Sequence, residues 1–211
     1  MRIKRKLSLY ERFSAIGVWR CALLVFFISF AGWCFEKVGR YIVYNSITDR
    51  GFLSLPLCPI YGFSVLLIYL SLGSPVSPAI GVNRGGESRG SRLIFGVLNF
   101  IIYFFLAVLL TSAIELVTGV FFEEVIGITL WNYEDRFMDL LGYICPGYSL
   151  LWGGLISLFM LLVWTPLCRA AKKINFSVAR VLGALCLFLM TGDFVFNLIY
   201  ILKTGSHFNF L

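Results

Sequence analysis

Two stretches of this chain stay free of charge for longer than a lipid bilayer is thick. Residues 93–114 run for 22 positions, and residues 140–168 for 29, without an Asp, Glu, Lys or Arg. A helix crosses the bilayer's hydrocarbon core, roughly 30 Å thick, in about 20 residues. Inside that core every backbone polar group must find its partner within the protein, so such runs are expected to be helices. Composition agrees: 59% of the 211 residues are hydrophobic and 14% are charged, against about 25% charged in soluble domains. The chain reads as an all-α integral membrane protein, one transmembrane domain with about five helices. The candidate spans are residues 17–35, 57–72, 93–122, 145–168 and 181–202. The first follows "RIKRK", as a signal peptide would. No small-residue cleavage site comes after it, so the reading is a retained helix.

The net charge of +7 is distributed as topology requires and needs no nucleic-acid partner. Arg2, Lys4, Arg5, Lys6 and Arg12 lie in the N-terminal tail. Arg84, Arg89 and Arg92 lie in the loop 75–92, and Arg169, Lys172, Lys173 and Arg180 follow the fourth span. The opposite side holds Lys37, Arg40, Arg50, Arg136 and Lys203, and Arg20 sits at the mouth of the first span. The positive-inside rule then puts the N-terminus in the cytoplasm and, with five spans, the C-terminus outside. The bilayer itself is the partner of the basic surplus. The six cysteines form no CxxC pairing and suggest no metal site or cofactor. His207 falls in the short outer tail.

An internal repeat is legible. At an offset of 87 residues, Gly32 meets Gly119, Phe35 meets Phe122, Glu36 meets Glu123 and Val38 meets Val125. Asn45, Leu53, Cys58, Pro59 and Tyr61 likewise meet Asn132, Leu140, Cys145, Pro146 and Tyr148. Nine identities in the 30 positions 32–61 include several polar or special residues, which hydrophobicity alone does not explain. The expected arrangement is a duplicated helix–loop–helix running the same way twice, a parallel repeat. Repeat one covers about 17–73 and repeat two about 93–168. A basic cytoplasmic linker, 74–92, joins them, and the helix at about 181–202 stands outside the duplication.

The charged groups nominate a site. Glu36 and Glu123 close their helices at the outer boundary, where the helix dipole disfavours a carboxylate. Arg50 and Arg136 are the compensating bases the repeat offers, with Arg40 as a local alternative for Glu36. A salt bridge locking the outer loops and a ligand site both stay open. Glu115 lies about 12 Å deeper than Glu123 on the same helix, sharing a face with Gly119 and Glu123. Its repeat partner is Ile28, so this charge departs from the duplicated pattern. Asp193 interrupts the last span, with Asn197 one turn on. An ionisable residue at such depth points to function, and two that met could share a proton or hold a cation. Trp131 and Tyr133 suit an interfacial belt or a carbohydrate, amine or headgroup surface. The prolines of "LPLCPIYG" can open a returning helix or support a re-entrant bend. "GVNRGGES" has phosphate-loop spacing, but Glu87 stands where the lysine is needed. The chain carries no ATPase motif and no hydrolase motif.

"GWCFE", "DRGFLSLPLCPIYG" and "LWNYEDRFMDLLGYICPGYSLLWG" together resemble the bacterial CmpB-like family of type IV ABC-transporter permeases, over about residues 30–166. The resemblance implies that Glu36, Arg50, Gly51, Pro59, Tyr61, Gly62, Glu115, Glu123, Trp131, Tyr133 and Gly142 are the family's characteristic positions. It departs at Asn132, where the family tends to have Asp, and at Asp139, where it tends to have Asn. The implied function is an inner-membrane transport component, a permease-like subunit or small carrier. A separate ATPase would dock on the cytoplasmic loops, and oligomerisation stays open. The substrate-binding candidates are Glu36, Arg50, Glu115, Glu123, Trp131, Tyr133 and Arg136, with Glu115 and Asp193 as the intramembrane ionisable pair. A membrane-embedded enzyme acting on a lipid, or a sensor or accessory subunit, would fit the same residues.

Overall fold

The computed structural model describes residues 7–45, 51–75, 77–78 and 89–205. A short helix that the apolar pattern does not announce comes first. In α1 (Leu9–Ile16), Ser8 and Glu11 cap one another's backbone N–H groups at 2.7 and 3.2 Å. Gly17, at φ 87°, turns the chain into α2 (Val18–Tyr44), which runs nine residues past the expected end of the first span. Asn45 closes it in the left-handed conformation. Residues 51–58 are not helical. α3 (Pro59–Leu72) opens on Pro59 and is followed by a two-stranded turn, β1 (Gly73–Ser74) paired antiparallel with β2 (Ser77–Pro78). The long α4 (Arg89–Val120) widens into a π-helical turn (Phe121–Ile126) that stops at Gly127. The segment 127–145 leads to α5 (Pro146–Leu162), then α6 (Trp164–Lys173) and α7 (Phe176–Thr204).

Among the described residues, three helical segments are long and apolar enough to cross a membrane: Val18–Ile42, Leu93–Ile126 and Phe176–Thr204. The pair α5 and α6 makes a fourth if counted as one span bent by 50°. Pro166 accounts for the bend. It has no N–H for the Leu162 carbonyl, and its ring crowds that position. Large apolar side chains such as Leu93, Leu109, Val117 and Phe188 stand exposed along α4 and α7, as lipid-facing groups do.

α3 falls short of a span. Its 14 residues cover about 21 Å, and each end is held deep in the protein. At the start, the Cys58 N–H donates to the Ser29 carbonyl at 3.0 Å, in the middle of α2. At the end, the buried Arg12 guanidinium donates to Leu70 O at 2.7 Å and to Tyr69 O at 3.4 Å. The Tyr103 hydroxyl donates to Gly73 O at 3.1 Å. These donors occupy carbonyls that a helix ending inside the protein leaves bare.

The non-helical approach to α3 is held as firmly. Phe52, Leu53 and Leu57 are buried, and the Phe52 ring sits 4.8 Å from that of Phe122 and 4.9 Å from that of Phe194. Irregular backbone is tolerated at membrane depth where protein surrounds it, and here α2, the π-helical turn and α7 do so. The helices themselves approach closely at glycines. A Cβ on Gly62 would overlap Val25, one on Gly153 would overlap Val108, and one on Gly183 would overlap Trp19.

The packing divides into two cores. One joins Ile16, Leu24, Ile68, Tyr103, Met160 and Trp164 across α1 to α6. The other joins Phe52, Leu57, Phe122, Met190 and Ile201 around the irregular segment. Arg12 and the bond from Arg20 to Ile174 O at 2.9 Å bring the first helix and the α6–α7 junction to one basic end.

Candidate functional site

Both segments at the opposite end fold inward. In the second, residues 127–145, Asn132 Oδ1 accepts the Glu134 N–H at 2.7 Å and the Tyr133 N–H donates to Gly142 O at 2.8 Å. Trp131 Nε1 donates to Tyr143 O at 2.9 Å, and Asp139 Oδ2 accepts the Gly142 N–H at 3.1 Å. Gly142, at φ 73°, makes the turn. Asn132 and Asp139, the two departures from the family pattern, thus both act as turn acceptors, a role Asp and Asn share.

This loop carries Tyr133 toward Glu115. The Glu115 side chain on α4 is 9% exposed, and its Oε2 has no hydrogen-bond partner. The Tyr133 hydroxyl accepts a hydrogen bond from Trp152 and lies in the field of Glu115. Burial, and after it the Glu115 carboxylate, push the Tyr133 hydroxyl above the ordinary tyrosine range. From the other hairpin, the Tyr61 hydroxyl lies within electrostatic reach of Glu36, Cys58, Tyr133 and Glu115. Its ring meets that of Trp152 at 5.6 Å and 73°. Gly32 makes room, because a Cβ there would come within 2.5 Å of the Tyr61 ring. Tyr133 stacks on Tyr148 at 4.8 Å, and Phe35 stands 6.3 Å from Trp152.

The sequence-nominated residues separate accordingly. Glu36 accepts from the Cys58 thiol at 3.4 Å. Glu123 is exposed at the top of its face, where it accepts the Tyr143 hydroxyl, whose titration burial and then Glu123 push upward. The Tyr143 ring also fills the gap at Gly119, 2.7 Å from a hypothetical Cβ, so the shared face of Glu115, Gly119 and Glu123 is covered by this loop. Arg136 sits 6.0 Å over the Tyr148 ring and is not an ion-pair partner of Glu123. Arg50, His207 and the phosphate-loop mimic lie outside the described residues. Asp193 does not meet Glu115. Its Oδ2 accepts the Leu55 N–H at 2.9 Å and its Oδ1 accepts from the Asn197 amide at 3.0 Å. That amide also donates to Ser54 at 3.0 Å. Of the two deep acids, Glu115 is a buried carboxyl and Asp193 holds the irregular segment through Leu55 and Asn197.

Cys58, Trp152, Tyr143 and Tyr148 did not emerge as site residues from the sequence. For Tyr148 a signal existed, since the 87-residue register pairs it with Tyr61. Trp152 had none. No group of three His, Cys, Asp or Glu able to hold a metal exists among the described residues.

Long apolar helices, several of them able to cross a bilayer, define a helical membrane protein. The chain belongs to the family described as "Putative ABC-transporter type IV", whose model matches residues 23–198. The match takes in α7 as far as residue 198, and with it Asp193 and Asn197. No curated protein and no solved structure matches the chain.

Proposed function

We propose that the protein is a transport component, a permease-like subunit or small carrier, whose polar site centres on Glu115. The observation that carries this reading is the Glu115 carboxyl, nine-tenths buried with Oε2 unpartnered where the two hairpins meet. A structural carboxyl would normally be satisfied by its neighbours. The full candidate lining is Glu36, Arg50, Glu115, Glu123, Trp131, Tyr133 and Arg136, open to the outer face.

The reading includes the parallel repeat, 17–73 and 93–168. In its support, each hairpin's second helix opens on a Cys-Pro step, at Pro59 and Pro146. It also includes five crossings, the second made jointly by residues 51–58 and α3. The basic end faces the cytoplasm of the inner membrane, with the N-terminus inside and the C-terminus outside. A separate ATPase docks on that end. A lipid-acting enzyme would pair an acid with Arg50 or Arg136; Arg136 lies over the Tyr148 ring, and Arg50 lies outside the described residues.

The test is purification from native membranes in mild detergent, with identification of co-purifying proteins and lipids. A stoichiometric ATPase is expected. A bound lipid intermediate or a signalling protein in its place would refute the reading. Reporter fusions after Lys203 and within 169–173 check the orientation independently.

A further inference from the structure

Glu115 sets a condition that no described residue meets. It is nine-tenths buried, Oε2 has no partner, and no basic side chain among the described residues acts on it. A carboxyl in that setting persists only with a proton or beside a cation. The surrounding groups select the cation. A metal ion would need several further oxygen, nitrogen or sulfur ligands, and no group of three acid, Cys or His ligands exists among the described residues. The groups that the Glu115 charge reaches are aromatic. Tyr61 and Tyr133 lie in its field, Trp152 contacts the first and donates to the second, and Tyr148 backs Tyr133. Aromatic faces attract organic ammonium groups. A protonated amine also has N–H groups for the bare carboxyl oxygen, which a quaternary ammonium lacks.

We infer that Glu115, Tyr61, Tyr133 and Trp152 form a binding site for a protonated alkylamine. Its ammonium donates to Glu115 Oε2, and its alkyl part lies against the rings. This rests on the transport reading for its biological use, but the binding itself needs no partner subunit.

The full chain, purified in mild detergent, is titrated with n-butylammonium by calorimetry near neutral pH. Saturable binding is expected, weakened at least about tenfold by Glu115→Gln, which removes the charge-assisted bond. Tyr133→Phe should weaken it a few-fold, and Glu124→Gln, an exposed acid on the same helix end, should leave it unchanged. Tetrabutylammonium, which has no N–H, should bind wild type at least about tenfold more weakly. That comparison holds whether or not a variant folds. Absence of saturable binding to wild type, equal binding of the two ammonium ions, or unchanged binding in Glu115→Gln would each overturn the assignment. A co-purifying ATPase without amine binding defeats this inference and leaves the transport reading intact. Amine binding without an ATPase does the opposite to the ABC arrangement.

Discussion

Replacing Arg12 by Met keeps the aliphatic stem and removes the guanidinium that ends α3. That group is 6% exposed and donates to Leu70 O at 2.7 Å, to Leu7 O at 2.8 Å and, at 3.4 Å, to Tyr69 O. Hydrogen bonds from a charged donor contribute about 1.5–3 kcal/mol each. Leu7 is 49% exposed, so water can replace the donor there, and the longest contact is near the limit of useful geometry. The Leu70 bond remains, together with the attraction of a cation to a helix C-terminus, about 0.3–1 kcal/mol at a surface and up to about 2 when partly buried. Arg12→Met should therefore destabilise the fold by about 2–4 kcal/mol. Arg12→Lys keeps the charge but loses the fork that spans two carbonyls, and should cost about half as much. Thermal melting in mild detergent measures the total, and amide exchange measures where it falls. The loss should concentrate in the last turn of α3, with α7 little changed. Wild-type melting and wild-type exchange in Arg12→Met would refute the reasoning, because water or the neighbouring turns would then be serving those carbonyls.

Gly32→Ala places a methyl group against the Tyr61 ring and should cost about 1–3 kcal/mol in melting stability. The same substitution at Gly39, which has open space around it, should be silent. Asp193→Ala removes the acceptor for Leu55 N–H and Asn197, so exchange at Leu55 should rise at least about tenfold, for an unsatisfied buried group costs about 1–3 kcal/mol. Tyr133 titrates above the ordinary tyrosine range in the fold, so the native state holds its proton longer than the unfolded chain. Its contribution to stability is therefore full below about pH 10 and lost as pH rises through the folded value. Melting temperature should fall above about pH 10, and less steeply in Tyr133→Phe.

How much of this was legible follows from the range of each interaction. Apolar runs and the Cys-Pro steps are local, and they located α4 and the openings of α3 and α5 closely, though not the bend that ends α5 at Leu162. The extent of α3 was local as well, for the expected 57–72 stops at Leu72 where Gly73, Ser74 and Pro75 break the apolar run. What holds its ends was not local: the groups are Ser29 and Arg12, 29 and 58 residues from the ends they meet. Arg12 counted in the sequence as one more charge of a basic tail, whereas it is buried. Asp193 likewise read as a functional acid, because its partner Leu55 lies 138 residues away. Glu115 was legible as a departure from the repeat. The rings around it come from α3, α5 and the 127–145 loop, a convergence that spacing does not encode.

The short α3 also bears on how the chain reaches its membrane. A largely apolar helix of fourteen residues makes a weak stop for an insertion machinery that reads one segment at a time. The guanidinium that finishes this helix is synthesised well before it, just ahead of α2. Chains emerge N-terminus first, so α1 and α2 can already be in place when α3 arrives to be received by Arg12. The first hairpin should then enter the bilayer as a unit, assembled by its predecessor rather than by its own hydrophobicity.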